Sequence, residues 1–348
     1  MSAENPEGFP WGSNTPTRRR RLIVALLIAC VSGAALYLHL VHFGQTRSDF
    51  SQALFGARAL LHGADPYVLV GRGRVFESAW PIMYPATTYV AAIPFAPLPD
   101  RLASALFVTL SAFLLVYGST AGTWHRLPMF ASLAFTASVQ YAQWSTLMTA
   151  MLFLPWLAVF AAAKPQSALP VIVASPSAVT VRAAIIGGIA LLIPSLFFFP
   201  HWPVEWWAIV RAGEQLRPPL LRFGGVFISL VLLRWRRPEA WLVFLMACMP
   251  QSWAWYNVLV LLAIPLTYRE ACVLSLISSI GALIAAYFLR HLSPPESYPP
   301  WGAAMVAFAY LPATIAILRR PNQRSAPPWA ARVPGAAEAA VPTGRTMP

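Results

Sequence analysis

The sequence predicts an all-α polytopic membrane protein, a bundle of about 10–12 transmembrane helices with an outer amphipathic helix in its first loop. Three observations carry this. Of the 348 residues, 58% are hydrophobic and only 11% charged, whereas a soluble domain of this size carries about 25% charged residues. Most of the surface must therefore face lipid. Apolar stretches near the length of one crossing, about 20 residues, recur along the chain. Arginines cluster at the ends of those stretches: Arg18 to Arg21, then Arg234, Arg236 and Arg237, then Arg319, Arg320 and Arg324. That is the positive-inside distribution of a threaded chain, not a nucleic-acid-binding stripe, although the formal net charge is +13. No nucleic-acid partner is expected.

The elements follow in order. Residues 1–21 are polar, end in four arginines and read as a disordered cytoplasmic tail. Leu22 to His42 is long enough to span, and too long, without a small-residue cleavage site, to be a removed signal peptide. Its far end is expected outside. Residues 43–84 form the first extracytoplasmic loop. Within it, Asp49 to His62 places Phe50, Ala53, Leu54, Ala57, Leu60 and Leu61 near one helical face. Asp49 with Gln52 reads as a capping box and Gly63 as a C-terminal stop, giving an amphipathic helix lying on the outer membrane surface.

Further apolar segments run at 85–98, 102–123, 127–142, 146–163, 165–176, 183–200, 220–233, 239–250, 253–268, 271–289 and 301–318. A second extracytoplasmic loop, 201–219, carries Trp202, Trp206 and Trp207 beside Glu205. The transmembrane domain thus covers 22–318, and 319–348 is a polar, Pro/Ala-rich cytoplasmic tail. Several segments fall short of a full crossing and read as half-helices, broken helices or re-entrant segments lining a cavity. Charges between 125 and 182 are too sparse to order the crossings there. Asp100 is expected in a cytoplasmic turn, without a role. Fourteen Trp, eleven Tyr and twenty Phe suit the headgroup boundary, and thirty-three Pro are better tolerated in membrane helices than in soluble ones.

Few residues offer chemistry. Cys30, Cys248 and Cys272 lie in apolar stretches without metal-ligand spacing. The six His are scattered, so no metal site and no cofactor are indicated. Only three Asp occur (Asp49, Asp65 and Asp100), and Lys164 is the single Lys. Asp49 reads either as an N-cap or as a general base at the mouth of a cavity. Lys164 reads either as a charge snorkelling to the interface or as a phosphate ligand.

The stretch Ser48-Asp49-Phe50 through Ala57-Arg58-Ala59-Leu60-Leu61-His62-Gly63-Ala64-Asp65-Pro66-Tyr67 resembles the first outer loop of glycosyltransferase family 87. Those are polyprenol-phosphate-mannose-dependent transferases of the GT-C superfamily. Tyr84-Pro85-Ala86 stands where that family has Tyr-Pro-Pro, followed by the Ala/Pro-rich run Ala92 to Pro99. Gln143-Trp144-Ser145 is similar to its Gly-Gln-x-x segment, with Ala142 in place of the Gly. Lys164-Pro165-Gln166 is similar to its Lys-Pro motif, and Ser252-Trp253-x-x-Tyr256 to a later aromatic motif. The resemblance covers about residues 45 to 265 in one order.

The resemblance implies a GT-C-like bundle and transfer of a sugar, mannose or another hexose or pentose, with inversion. The donor would be a polyprenyl-phosphate sugar and the acceptor a cell-envelope glycan or glycolipid. Asp49 would be the catalytic base. Lys164 and Arg58 would bind the donor phosphate. Asp65, Tyr67, Tyr84, Gln143, Trp253 and Tyr256 would contact substrate, although each aromatic also reads as an interfacial ring and Asp65 as a turn residue. The active site would lie on the extracytoplasmic side of a cell membrane, with membrane lipid as a partner. A flippase or transporter of lipid-linked sugars and a non-catalytic membrane scaffold are the rival readings.

Overall fold

The computed structural model describes residues 15–43, 48–71, 73–78, 83–213, 216–252, 254–293 and 296–323. The chain is a membrane-embedded, almost wholly helical bundle. Among the described residues, five helical runs are long and apolar enough to cross a bilayer: α1 (Arg18–His42), α5 (Asp100–Ser119), α9 (Ala178–Phe198), α12 (Tyr268–Leu289) and the run Tyr298–Leu318. This last run joins α13 (Tyr298–Met305) to α14 (Leu311–Leu318) through one π-helical turn at Val306–Tyr310.

Helices α1 and α5 pack antiparallel, and their ends define the two ends of the bundle. Gly33 makes the approach possible, since a Cβ there would lie 1.9 Å from Thr109 Oγ1. At one end Arg21 Nη2 donates to the Tyr117 carbonyl at 2.6 Å. At the other, the Ser48 and Ser104 hydroxyls meet at 2.9 Å. Asp100 therefore shares an end with Asp49, and its expected place in a turn at the opposite side is corrected. The 85–98 segment does not cross. It forms α4 (Ala86–Ala92) and a single 3₁₀ turn, Ile93–Phe95, that contains Pro94, after which Pro97 and Pro99 deny continuation of the helix. Ten helical residues reach only about 15 Å.

The 146–163 segment, in the region where the crossings could not be ordered from sequence, is two short passes. The 3₁₀ stretch Leu127–Ala131 and α6 (Leu133–Gln140) rise to Tyr141, whose carbonyl accepts the Asp49 N–H at 3.1 Å. Then α7 (Ser145–Ala150) descends toward Phe153 and Leu154, which pack on Gly118. The nine-residue 3₁₀ stretch Pro155–Ala163 rises again over about 18 Å. It ends where Thr87 and Thr88 donate to the Ala162 and Ala163 carbonyls, both at 2.6 Å. Helix α8 (Pro165–Ala174) descends once more.

Beyond α9, α10 (Trp202–Ala212) lies across the Asp49 end, held by Trp202 Nε1 on Ser195 Oγ at 3.1 Å and Trp206 Nε1 on the Met83 carbonyl at 2.9 Å. Three more short passes follow: Gly225–Arg234, α11 (Pro238–Cys248) and Trp255–Ala263. Short passes fill the interior, with Val258, Leu259, Leu261 and Leu262 at most 1% exposed. Helix α9 faces outward, with only 11% of its apolar window buried, whereas 61% of that of α5 is buried. Cys30 is exposed on α1 rather than buried, and all three cysteines are free.

Arginines close the far end. Arg320 pairs with Glu239 at 3.0 Å and Glu270 at 2.7 Å, and Arg237 pairs with Glu239 at 2.9 Å. Arg126 and His125 hydrogen-bond the Ala263 and Pro265 carbonyls, and Arg234 those of Leu318 and Arg320. These carbonyls are the orphan acceptors that helix C-termini leave behind, so the side chains act as caps.

Candidate functional site

Helix α2 (Asp49–Leu61) starts one residue earlier in its capping than the sequence suggests. Ser48, not Asp49, is the N-cap; its Oγ accepts from Ser51 N–H and the Ser51 hydroxyl returns a bond to Ser48 N–H. Asp49 is thereby released from capping and its carboxylate projects from the first turn. The apolar face of α2 does not lie on lipid. Phe50, Ala53, Leu54 and Ala57 are fully buried against protein, and Gly56 lets the Tyr89 ring pack where a Cβ would come within 2.6 Å. Phe50 stacks on Phe107 at 4.1 Å between ring centroids. Gly63, at φ +67°, follows the helix as expected.

The Asp49 carboxylate meets Gln143, whose Nε2 donates to Asp49 Oδ2. The same amide accepts, through Oε1, a bond of 3.1 Å from Lys164 Nζ. Lys164 also donates to Ser145 Oγ at 3.2 Å and sits 5.2 Å from the centre of the Tyr256 ring. Gln143 and Lys164 are buried, at 2% and 4% exposure. The arrangement is a carboxylate and a cation held apart by one neutral amide, whose separate N–H and C=O groups donate to one and accept from the other. Tyr84 lies beside Asp49 and Gln143, and Tyr256 beside Asp49 and Tyr141.

A helix-ending turn aims Gln143. After α6, Gln143 N–H bonds the Ser138 carbonyl at 2.8 Å and Ala142 N–H the Val139 carbonyl at 3.0 Å, the Schellman pattern. It puts Ala142 at φ 50°, the one non-glycine residue with positive φ among the described residues. The left-handed region costs an L-residue about 1–2 kcal/mol, and glycine is the residue that escapes this.

Electrostatics follow from depth. Burial pushes the Asp49 carboxyl up to about 6, with Lys164 and the Gln143 hydrogen bond pulling the other way. An ionised aspartate at neutral pH with a raised affinity for protons is suited to general-base work. Asp49 also lines a cleft of about 400 Å³ that opens at this end of the bundle, walled by α1, α2, α6, the two-residue strand Phe76–Glu77 and Ser78.

Other sequence-predicted residues lie elsewhere. Arg58, expected at the donor phosphate, is spent: Nη1 pairs with Asp100 at 2.6 Å, and Nε and Nη2 donate to the Ala96 and Leu98 carbonyls. Tyr67 is buried, and its hydroxyl joins that of Tyr89 on the Tyr84 carbonyl, both at 2.9 Å; it positions Tyr84 rather than lining the cleft. Asp65 caps the short turn of helix Pro66–Leu69 by accepting from Tyr67 N–H at 2.8 Å and lies beside Glu205. Gln143, expected on substrate, has its amide committed to Asp49 and Lys164. Trp253 and Glu214 lie outside the described residues. Among the described residues no group of three or more His, Cys, Asp or Glu side chains is placed to hold a metal ion.

Of the cleft-wall residues His39, Gln52, Glu77 and Gln140, the sequence singled out Gln52 alone, and only as half of a capping box. All four come from different elements and share no spacing. Compared with known proteins, the chain matches no family model, no curated protein and no solved structure.

Proposed function

We propose that this protein is a membrane glycosyltransferase that moves a sugar from a polyprenyl-phosphate donor to a glycan or glycolipid acceptor, with Asp49 as the base. The observation that supports it most is the Asp49–Gln143–Lys164 arrangement, whose Asp49 lines an open cleft at one end of the bundle. Residues scattered from 49 to 256 in the sequence, and singled out there by one ordered set of motifs, meet at one place. The opposite end carries Arg21, Arg234, Arg237 and Arg320. Under the positive-inside rule that end reads as cytoplasmic and the cleft as extracytoplasmic, in keeping with the proposal.

In the proposed reaction the acceptor hydroxyl gives its proton to Asp49 as its oxygen attacks the anomeric carbon. The bond from that carbon to the phosphate oxygen breaks, and the polyprenyl phosphate leaves with the electron pair. One displacement inverts the centre. Lys164 supplies positive charge within a low-dielectric interior, where charge acts far more strongly than in water. Its ammonium already has Gln143, Ser145 and the Tyr256 ring as partners, so binding a donor phosphate directly means trading the Ser145 hydroxyl for a phosphate oxygen. Gln143 keeps the Asp49–Lys164 pair from collapsing into a contact ion pair, which would hold the base too tightly to its own counter-ion.

The experiment is transfer of radiolabelled sugar from polyprenyl-phosphate donors by purified wild type and Asp49→Asn. The expected result is label on acceptor with wild type only. No transfer by well-folded wild type from any donor would sink the proposal. A buried lysine coupled to a carboxylate is also what a transporter uses for ion coupling. Label that crosses a vesicle membrane with its donor intact would favour that second reading.

A further inference from the structure

Asp49 stands between two compartments of different character. On its inner side are the buried Gln143 and Lys164 with Tyr84 and Tyr256. On its outer side is the cleft of about 400 Å³. The inner compartment holds the cation and the apolar surroundings that a lipid-linked phosphate needs. The outer one is lined otherwise: by the amides of Gln52 and Gln140, the rings of Phe43 and Phe76, His39 and Glu77. Gln52 Nε2 donates to Ser78 Oγ at 3.2 Å, which leaves its carbonyl oxygen to accept. Gln140, the last residue of α6, has no side-chain hydrogen bond among the described residues. Glu77 Oε2 accepts the Gly73 N–H at 2.9 Å, and the His39 ring rests on Phe43 at 4.7 Å.

We infer that this cleft is the acceptor subsite and that it takes an uncharged sugar. The claim rests on the transferase reading and extends it. Two-way amides and carboxylates at the wall match vicinal hydroxyls, which both donate and accept. The Phe43 and Phe76 rings in the lining suit the C–H face of a pyranose ring, and the volume is within the range of small-molecule sites, about 300–1,000 Å³. Among the described residues no Lys or Arg lines the cleft. The base itself excludes anionic acceptors, because a sugar bearing a carboxylate or phosphate beside its reacting hydroxyl would face the ionised Asp49 at close range. The division also gives an order in space: donor from the membrane side, acceptor from the aqueous side, with Asp49 between.

The test pairs a neutral alkyl hexoside with the matching uronide as soluble acceptors, using radiolabelled polyprenyl-phosphate donor. Like-charge juxtaposition in a partly desolvated site costs several kcal/mol, so kcat/KM for the uronide is expected to be at least about tenfold lower. Gln140→Leu and Gln52→Leu each remove hydrogen bonds worth about 1 kcal/mol. They are expected to raise the acceptor KM about fivefold and leave the donor KM unchanged. Equal use of both acceptors, or a change confined to the donor KM, overturns the inference while leaving the transferase reading intact. Wild type that transfers no label at all ends the transferase reading instead. The cleft is then judged by binding alone: saturation-transfer NMR with the neutral methyl hexoside should show contact in wild type and weakened contact in Gln140→Leu. Its absence in wild type refutes the subsite.

Discussion

The two ends of the bundle solve the problem of buried charge in opposite ways. At the Arg320 end every acid in view is matched directly: Glu239 takes Arg237 and Arg320, and Glu270 takes Arg320. The neighbouring arginines cap carbonyls left by short passes that terminate there. At the Asp49 end the acid and the cation are kept one amide apart, a left-handed alanine sits in the turn that aims that amide, and a cleft is left open. One end is built to close the bundle. The other keeps features that cost stability, and functional sites are where such costs are expected to be found.

The largest expected effect separates the ends outright. Asp49→Asn preserves shape and removes the base; transfer should fall by about 10²- to 10⁴-fold while the thermal unfolding midpoint stays within a few degrees of wild type. Arg320→Met should do the reverse. It takes the cation from Glu270 and leaves Glu239 with Arg237 alone; breaking a buried pair costs about 3 kcal/mol, so the midpoint should drop sharply with turnover per folded molecule retained. A variant at either end that harmed both properties equally would blur the contrast.

A third prediction concerns protonation. Burial raises the Asp49 pKa, and Gln143 and Lys164 hold it down. Gln143→Leu removes one restraint, so the acid limb of the pH–rate profile should move to higher pH, with activity lost earlier on acidification. A limb unmoved or moved down would show that Gln143 does not set the base. The smallest effect is at Ala142. Glycine accepts φ 50° without the left-handed penalty, less its own entropy cost in the unfolded chain. Ala142→Gly should therefore stabilise by about 1 kcal/mol, read as a small rise in unfolding midpoint.

What could be read from the sequence follows the same division. Asp49, Gln143, Lys164, Tyr84 and Tyr256 were legible because each carries its own local motif, and the motifs fall in one order. The long helices α1, α5, α9 and α12 were legible because lipid on one side demands an uninterrupted apolar run. Short passes were legible only as a class, not in where each one turns. An 18-residue apolar segment such as 146–163 looks like one crossing, and only the packing of Phe153 and Leu154 on Gly118 shows where it doubles back. The same blindness put Asp100 at the wrong end, since 85–98 has the composition of a crossing but three prolines within six residues. Arg58 was assigned to phosphate by motif alone; the chain had an acid and two carbonyls nearer to it. Tyr67 and Asp65 sit in a recognisable turn, yet their work is to hold Tyr84 and start a helix. The cleft wall was invisible because spacing along the chain carries no trace of a surface assembled from four elements.

The most direct measurement is the pH dependence of kcat/KM for sugar transfer by wild type from about pH 4.5 to 8. With Asp49 as the base in its buried setting, the rate should climb about tenfold per unit at the acidic end and level off above about 6, where the carboxylate is formed. A rate that stays flat through this range, in a protein that still transfers sugar, would contradict Asp49 as the base.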